Sequence, residues 1–478
     1  MNQKTLHYET ASRLAFLVKT GEVSARELMK AHLARIDQVN PRLNAIVTLQ
    51  PEIAMEKARE ADEYQASGGT LGPLHGLPIA HKDLILTAGM RTTFGSLLLE
   101  DFIPDRDDSI VIRLREAGAI TLGKTNVPEF GAGSQTFNEV FGETRNPWDL
   151  SKTCGGSSGG AAVALSAGMV PIADGSDMGG SLRNPASFCH VVGMRPSPGR
   201  VPVVGAEMAW QTLSVLGPMA RNVEDLALLL SAMAGPDPGS PISLDVPGDR
   251  FREDLERDFS GVRVACSPDF GVLPVDPAVR KVAASASQIA ESVGCDVSDA
   301  NPDWAGADEA FKTLRAWTFA QTFGALSDEK KALLKETIRW TMDAGLAFSG
   351  QDIAHAQVVR SALYARVAAF MDEYEFMILP VSQVPPFDLS TRYPEEVDGV
   401  KMDTYIDWMK SAYFVSVVGL PALSLPFGFT EDGLPVGVQI VGRHHDDFGV
   451  LQLAWALEQS LGLNEMHPPV DIDSGVQT

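Results

Sequence analysis

The spacing of hydrophobic residues changes along the chain, and each change predicts a different kind of structure. Residues 8–40 carry apolar side chains at helical intervals, and Ser24 with Glu27 forms the Ser-x-x-Glu pattern that caps a helix start. From 72 to 205, short apolar runs alternate with glycine-rich turns and helical stretches. Residues 300–375 return to helical spacing with many large apolar groups. The other apolar stretches predict helices at 223–234 (capped by Asn222), 278–293 and 447–460, and strands at 263–269, 376–382, 420–429 and 433–442.

This alternation of strands and helices predicts an α/β protein with a mixed sheet. The chain has 478 residues, but neither an internal repeat nor a clear linker between independent domains is visible. The segment 236–258 is rich in Pro, Gly and Asp and predicts a surface connection. The segment from about 465 onward predicts a loose tail.

Composition narrows the classes of function. A net charge of −23 argues against nucleic acid or an anionic membrane surface as a partner. The N-terminus lacks the apolar core of a signal peptide, and no run of about 18 apolar residues predicts a membrane span. Four cysteines without a Cys-x-x-Cys spacing favour a reduced, cytoplasmic protein without structural zinc.

Three familiar catalytic patterns occur in unsuitable contexts. Residues 118–125 fit the phosphate-binding formula GxxxxGK[ST], but the four central residues are apolar and predict a strand rather than a loop that cradles phosphate. Residues 155–159 fit GxSxG, yet loop-type residues precede them where a nucleophile elbow needs a buried strand. Residues 327–330 fit SxxK, but Ser327 opens a charged helix, where serine is a good cap.

The segment 154–188 holds two glycine–serine clusters separated by a small-residue helix and a short strand. Glycine pairs allow positive φ angles, and successive unpaired N–H groups in such turns bind anions. Ser181, in the second cluster, is therefore placed beside donors that would stabilise an oxyanion.

A serine nucleophile needs a base, and the sequence offers a lysine before it offers a histidine. His81 and His190 both suit structural roles. Lys82 follows an apolar run, where burial would lower its pKa, although a lone lysine after a strand is usually a surface residue. Asp83 should point away from Lys82, because adjacent residues of a strand face opposite sides.

At these residues the chain resembles the amidase signature family, and the resemblance covers nearly its whole length. The matching segments are GLPIAHKDL, GAITLGKTNVPEF, FGETRNPWD, CGGSSGGAA, GSDMGGSLRNPASF, VVGMRPSPGRVP, LPALSLPFG and GLPVGVQIVG. The phosphate-loop look-alike is part of this pattern. The resemblance implies a single α/β/α domain over 1–478, with a large mixed β-sheet flanked by helices. Its catalytic core would cover about 72–205, and a variable helical region at about 300–410 would cover the substrate.

The resemblance also implies a Ser–cis-Ser–Lys triad that needs no metal or cofactor. Ser181 matches the nucleophile, and Lys82 matches the general base. Ser157 matches the bridging serine, whose preceding peptide bond is cis in the family. The N–H groups of Met178, Gly179, Gly180 and Ser181 would form the oxyanion hole, Ser158, Asp177 and Arg183 would support the turn, and Ser134 would border the substrate.

The reaction implied is hydrolysis of a carboxamide to a carboxylic acid and an amine or ammonia through an acyl-enzyme on Ser181. The substrate is expected to be a small-molecule aryl or alkyl amide, with carbamates (urethanes) open as an alternative. A homodimer is also left open. The glutamine-hydrolysing subunit of a tRNA-dependent amidotransferase is less favoured, because this chain reads GRVPVVGAEM and SDMGG where that branch usually has serine-arginine-tyrosine-glycine and SDTGG. An inactive binding homologue is opposed by the intact triad.

Overall fold

The computed structural model describes residues 6–463 and 466–470. Fifteen strands lie within these residues, and eleven of them form one sheet. The strands are β1 (Ile46–Leu49), β2 (Pro78–Lys82), β3 (Ile120–Thr125), β4 (Phe137–Asn138), β5 (Gly142–Glu143), β6 (Ile172–Asp177), β7 (Val192–Arg195), β8 (Val215–Ala220), β9 (Arg263–Cys266), β10 (Asp296–Asp299), β11 (Phe376–Pro380), β12 (Glu396–Val397), β13 (Val400–Lys401), β14 (Ala422–Phe429) and β15 (Pro435–Gly442).

Helices flank this sheet, giving the single α/β domain that the sequence predicts. The α-helices are α1 (Ala11–Thr20), α2 (Ala25–Leu43), α3 (Pro51–Ala66), α4 (Ser109–Glu116), α5 (Gly159–Ser166), α6 (Arg183–Cys189), α7 (Val223–Met233), α8 (Pro277–Ala284), α9 (Ala286–Ser292), α10 (Ala307–Phe323), α11 (Asp328–Ala332), α12 (Glu336–Ala347), α13 (Gly350–Glu373), α14 (Lys410–Val418) and α15 (Asp447–Leu461). Short 3₁₀ helices lie at Leu6–Tyr8, Leu97–Leu99, Glu129–Gly131, Gly248–Arg252 and Asp407–Met409. None of the helices described combines the length and apolar character needed to span a lipid bilayer.

The sheet is mixed, with the order β1-β3-β2-β6-β8-β7-β14-β15-β11-β9-β10. Strand β2 runs parallel to both β3 and β6, and β9 runs parallel to both β10 and β11. The pairings between these two groups are antiparallel. Because β2 and β6 are parallel neighbours, their carboxyl ends lie at the same edge of the sheet.

Helix α5 lies beneath the strands that lead to this edge, and all eight of its residues are buried. Its sequence, GGAAVALS, is small and apolar on every side, which is typical of a helix enclosed by other elements. The glycines are needed for close approach. At Gly160, for example, an added Cβ would lie 2.3 Å from the backbone nitrogen of Asn126. This packing fixes the chain that enters α5 through the first glycine–serine cluster.

Most elements predicted from hydrophobic spacing are confirmed. The capping box at Ser24 and the Asn222 cap are both present, and 118–125 ends in strand β3 rather than in a phosphate-binding loop. The prediction of one helix over 278–293 is wrong, because the chain breaks at Ser285 into α8 and α9. The short strand predicted within 154–188 is β6, which continues through polar residues to Asp177.

The predicted loose tail lies only partly within the described residues. Residues 464–465 and 471–478 lie outside them. Between these two gaps, His467 stacks on the ring of Tyr8, and Val470 is buried. The segment 466–470 is therefore packed against the domain, in contrast to the prediction for this part of the tail.

Candidate active site

The candidate nucleophile and base lie where two parallel strands end. Lys82 is the last residue of β2, and β6 ends at Asp177. A turn follows β6 and carries Ser181 immediately before α6. The first glycine–serine cluster lies alongside, because the Ser158 N–H donates to the Ser181 carbonyl at 3.2 Å. The structure therefore brings residues from three separate stretches of sequence to one edge of the sheet.

The Lys82 amine is buried among serine oxygens. Its Nζ lies 2.8 Å from both Ser157 Oγ and Ser158 Oγ, and 2.9 Å from Ser176 Oγ. Burial lowers the pKa of Lys82 to about 7, although the charges of Asp177 and Asp174 oppose the shift. A large fraction of the amine is therefore neutral near neutral pH, as a proton acceptor must be.

Asp174 holds the backbone of Lys82 rather than its amine. One carboxylate oxygen accepts the backbone N–H of Lys82 at 2.8 Å, and the other lies 2.5 Å from His81 Nδ1. The second nitrogen of His81 contacts Thr121 Oγ1 at 2.9 Å. Both ring nitrogens of His81 therefore have partners away from the serines, as expected for a structural histidine.

Asp83 points away from the Lys82 amine, as predicted. Its carboxylate accepts hydrogen bonds from the backbone and the hydroxyl of Thr93, at 3.1 and 2.6 Å. The carboxylate adjacent to Lys82 in sequence is therefore turned toward another loop.

The peptide bond between Gly156 and Ser157 is cis, as the resemblance implies. Two hydroxyls hold the preceding carbonyls: Ser134 Oγ donates to the Gly156 oxygen at 2.7 Å, and Thr136 Oγ1 donates to the Gly155 oxygen at 2.8 Å. The Asn184 side chain donates in turn to Ser134 Oγ. The sequence predicts that Ser134 borders the substrate. Ser134 lines the larger cavity described below, and its hydroxyl is held by hydrogen bonds within the protein.

Ser181 opens onto a cavity of about 120 Å³ that Ser157 also lines. No hydrogen bond joins the two hydroxyls, and no described residue is a partner of Ser181 Oγ. Proton transfer between these serines would require the two hydroxyls to come within hydrogen-bond distance. Hydrogen bonds of this kind are often long or absent until substrate is bound.

The turn before Ser181 offers fewer oxyanion donors than predicted. The Gly180 N–H donates to Asp177 Oδ1 at 2.9 Å, so the structure removes it from the predicted set. Within the described part of the chain, no acceptor is found for the N–H groups of Met178, Gly179 and Ser181. The assignment of these three groups to an oxyanion hole stays a prediction.

Asp177 organises the turn with two fully buried arginines. Arg183 donates to both carboxylate oxygens at 3.1 Å, and Arg195 Nη1 lies 3.3 Å from Oδ1. Burial opposes ionisation of Asp177, but the two guanidiniums outweigh it and hold its pKa well below the usual range. The sequence identifies Asp177 and Arg183 as supports of the turn but does not identify Arg195.

We expect Asp177→Asn to destabilise the protein by about 3–5 kcal/mol, because it breaks a buried ion pair and leaves two arginines without a countercharge. The free energy of unfolding in urea measures this loss. The control is Asp432→Asn, since Asp432 is exposed in the β14–β15 turn and should change stability by less than about 0.5 kcal/mol. Equal stability of the two variants would contradict the structural role of Asp177.

Two contacts of Lys82 are absent from the sequence prediction, namely Ser176 and Asp174. Both residues lie on β6 and are two positions apart, so they share one face of the strand. Polar residues at alternate positions of a buried strand need hydrogen-bond partners. Their spacing in the sequence could therefore have indicated that Asp174 and Ser176 contact other polar residues of the site. Among the described residues, no group of three or more His, Cys, Asp or Glu side chains is arranged to hold a metal ion.

A second, larger cavity of about 1020 Å³ lies next to the catalytic one. Gly133 lines both cavities, and Tyr405 and Trp408 of the larger wall are adjacent in sequence to Ile406 and Met409 of the smaller. The larger cavity does not contain the three predicted catalytic residues, so its size alone does not identify it as the reaction site.

Comparison with known proteins identifies relatives over nearly the whole chain. The Amidase family model matches residues 27–451. An acylamidase of Rhodococcus erythropolis is 36% identical over 458 residues, covering 95% of this chain and 96% of the relative. A glutamyl-tRNA(Gln) amidotransferase subunit from Geobacillus kaustophilus is 36% identical over an alignment of 490 residues, covering 97% of this chain and 99% of the relative.

Solved structures agree with these sequence relatives. The crystal structure of a bacterial aryl acylamidase of the amidase signature enzymes superposes with a TM-score of 0.90 at 28% identity. The match covers 95% of this chain and 96% of that one. The similarity in fold therefore extends over nearly the whole chain.

Proposed function

This chain belongs to the amidase signature family and hydrolyses an amide C–N bond, and we propose that its substrate is a linear aryl or alkyl carboxamide cleaved through an acyl-enzyme on Ser181. One observation carries the assignment of residues. The Lys82 amine, with its pKa lowered to about 7, lies 2.8 Å from Ser157 Oγ, and Ser157 lines the cavity onto which Ser181 opens.

In its neutral form the Lys82 amine has two N–H groups and one lone pair. In our proposal Ser158 and Ser176 accept the two N–H groups, and the Ser157 hydroxyl donates into the lone pair. When substrate binds, Ser181 passes its proton to Ser157 as Ser157 passes its own to Lys82. The Ser181 oxygen then attacks the amide carbon.

The negative charge on the tetrahedral intermediate would be held by the N–H groups of Met178, Gly179 and Ser181. As the C–N bond breaks, the proton held by Lys82 returns through Ser157 to the leaving nitrogen. A water molecule then repeats the attack on the acyl-enzyme and releases the acid. Every proton transfer in this sequence uses Lys82 and the two serines, so the proposed mechanism requires no metal or cofactor.

The lining of the smaller cavity favours an aryl or alkyl substrate, because most of the side chains in it are apolar. The lining residues include Phe130, Met178, Phe311, Phe319, Ile406 and Met409. Helix α10 provides two of these rings, and the 3₁₀ helix at Asp407–Met409 provides the second methionine. We propose that the variable region at about 300–410 selects the substrate through these residues.

We propose a stand-alone hydrolase rather than part of an amidotransferase, because the segments GRVPVVGAEM and SDMGG differ from those usual in that branch. A homodimer remains open. The four cysteines are free and buried, which supports the cytoplasmic location expected from the sequence. Carbamate cleavage would use the same three residues and is a second candidate that the geometry accommodates.

We expect the purified chain alone to hydrolyse anilides or alkyl amides, and to do so after prolonged treatment with a chelator. The experiment is a panel of glutamine, para-nitroanilides, alkyl amides and aryl carbamates, with released amine or ammonia as the readout. The panel also includes esters that match the amides in structure. Esters should be hydrolysed as well, because they can form the same acyl-enzyme on a serine.

Each outcome of the panel separates two hypotheses. Turnover of glutamine only, and only with a second protein present, would support the amidotransferase alternative. Preference for carbamates would replace the carboxamide assignment while keeping the triad. Loss of activity with chelator, restored by zinc or manganese, would overturn the metal-independent mechanism.

A further inference from the structure

Arg315 is a buried cation in the wall of the catalytic cavity. It lies on α10, is 6% exposed and lines the same cavity as Ser157 and Ser181. Its Nη2 donates to Tyr405 Oη at 2.6 Å, and its Nη1 donates to Thr341 Oγ1 at 3.3 Å. Both partners are neutral hydroxyls, and among the described residues no carboxylate lies within ion-pair distance of this guanidinium.

Three other buried arginines of this protein are paired with carboxylates. Arg183 and Arg195 both contact Asp177, and Arg200 contacts Asp447 at 2.9 Å. Buried charges are costly unless they are paired, so these contacts are the expected arrangement. Arg315 departs from it, and it does so at the site where a substrate binds.

The guanidinium also has donors to spare. An arginine side chain has five N–H groups. Two of them donate to Tyr405 and Thr341, which leaves three (five minus two). The ring of Phe319 lies against the guanidinium, with its centroid 4.4 Å from Cζ. A planar fork of this kind matches a carboxylate in a bidentate geometry.

We propose that Arg315 is a specificity-determining residue that binds a carboxylate on the substrate, a few bonds from the scissile amide. The inference rests on the proposed function and deepens it, because it makes the preferred substrate an acidic amide. The carboxylate belongs either to the acyl part, as in the half-amide of a dicarboxylic acid, or to the amine part, as in an N-acyl amino acid or aminobenzoate.

The position of Arg315 along α10 supports this distance. Phe311 lies one helical turn earlier, and its ring packs so closely on the oxyanion turn that a Cβ added at Gly179 would lie 2.8 Å from Phe311 Cζ. Residues four apart on a helix have Cβ atoms about 5–6 Å from each other. Phe311 and Arg315 therefore lie on the same side of α10, and both line the cavity that contains the oxyanion turn.

Three matched anilides test the proposal. Butyranilide is neutral, succinanilic acid places a carboxylate on the acyl side, and 4-(butyrylamino)benzoate places it on the amine side. We expect the wild-type enzyme to prefer one of the two acids over butyranilide by about 10-fold or more in kcat/KM, as a charge-assisted hydrogen bond in a buried site provides. In Arg315→Gln this ratio should fall to about 1 or below, and Arg315→Lys should retain part of it.

The matched control is Arg339→Gln, which removes the same charge from an exposed position on α12 and should keep the wild-type ratio. A wild-type enzyme that favours neither acid would overturn the proposal without the use of any variant, as would an unchanged ratio in Arg315→Gln. Butyranilide hydrolysis itself reports on the proposed function, so failure of the amidase assignment and failure of carboxylate recognition are distinguishable.

Discussion

Ser181→Ala should abolish amide hydrolysis while leaving the fold intact. The substitution removes the oxygen that would form the acyl-enzyme, and loss of a nucleophile of this kind lowers kcat by about 10⁴-fold or more. Ser181 Oγ has no partner among the described residues, so its removal breaks no hydrogen bond of the folded state. The free energy of unfolding should therefore differ from that of the wild type by less than about 0.5 kcal/mol.

The measurement combines turnover of an anilide with labelling by a fluorophosphonate, which reacts with activated serines. Wild-type protein should be labelled at Ser181, and the Ser181→Ala variant should not be labelled. The control is Ser166→Ala, because Ser166 is also a buried serine whose hydroxyl has no partner in the described part of the chain. Turnover close to wild type in Ser181→Ala would refute the assignment.

The elements that could be predicted from sequence are those with a strong local pattern. Strands β14 and β15 consist of long apolar runs bounded by a turn, and α7 has both helical spacing and a capping Asn222. Strand β10 was not predictable in this way, since its sequence is DVSD and it lies at the edge of the sheet, where hydrophobic residues are not required. Its position depends on pairing with β9, which is a property of the tertiary structure.

The candidate site also contains residues that the sequence identifies and features that it could not predict. Lys82, Ser157 and Ser181 are identified from their segments, and the structure brings Lys82 within hydrogen-bond distance of Ser157. The use of the Gly180 N–H by Asp177 could not be predicted, because it depends on how the turn closes over the carboxylate. Arg315 carries no sequence signal, since an arginine on a predicted helix is ordinarily a surface residue. Only the packing of α10 places it in the cavity.

Lys82 presents the second test with a large expected effect. Its pKa is lowered to about 7, and it can accept a proton only when neutral. The fraction of enzyme with a competent base therefore increases as the pH rises through 7, and kcat/KM should increase with it to a plateau. Lys82→Arg keeps the positive charge but cannot deprotonate, so it should be as damaged as Lys82→Met, with kcat about 10²–10⁴-fold lower.

A second buried lysine, Lys124, provides a control for the assignment of Lys82 as the base. Lys124 lies on the neighbouring strand β3, and burial lowers its pKa to about 8, but its amine contacts the Ile85 carbonyl and Thr87 rather than Ser157 or Ser181. Lys124→Met should therefore keep the rise of kcat/KM through pH 7, whereas both Lys82 variants should lose it. If Lys82→Arg retained substantial activity with an unchanged pH profile, the proton would have to be accepted by another group, and His81 would be the first to examine. Because both His81 nitrogens already contact Asp174 and Thr121, we expect the pH dependence to follow Lys82.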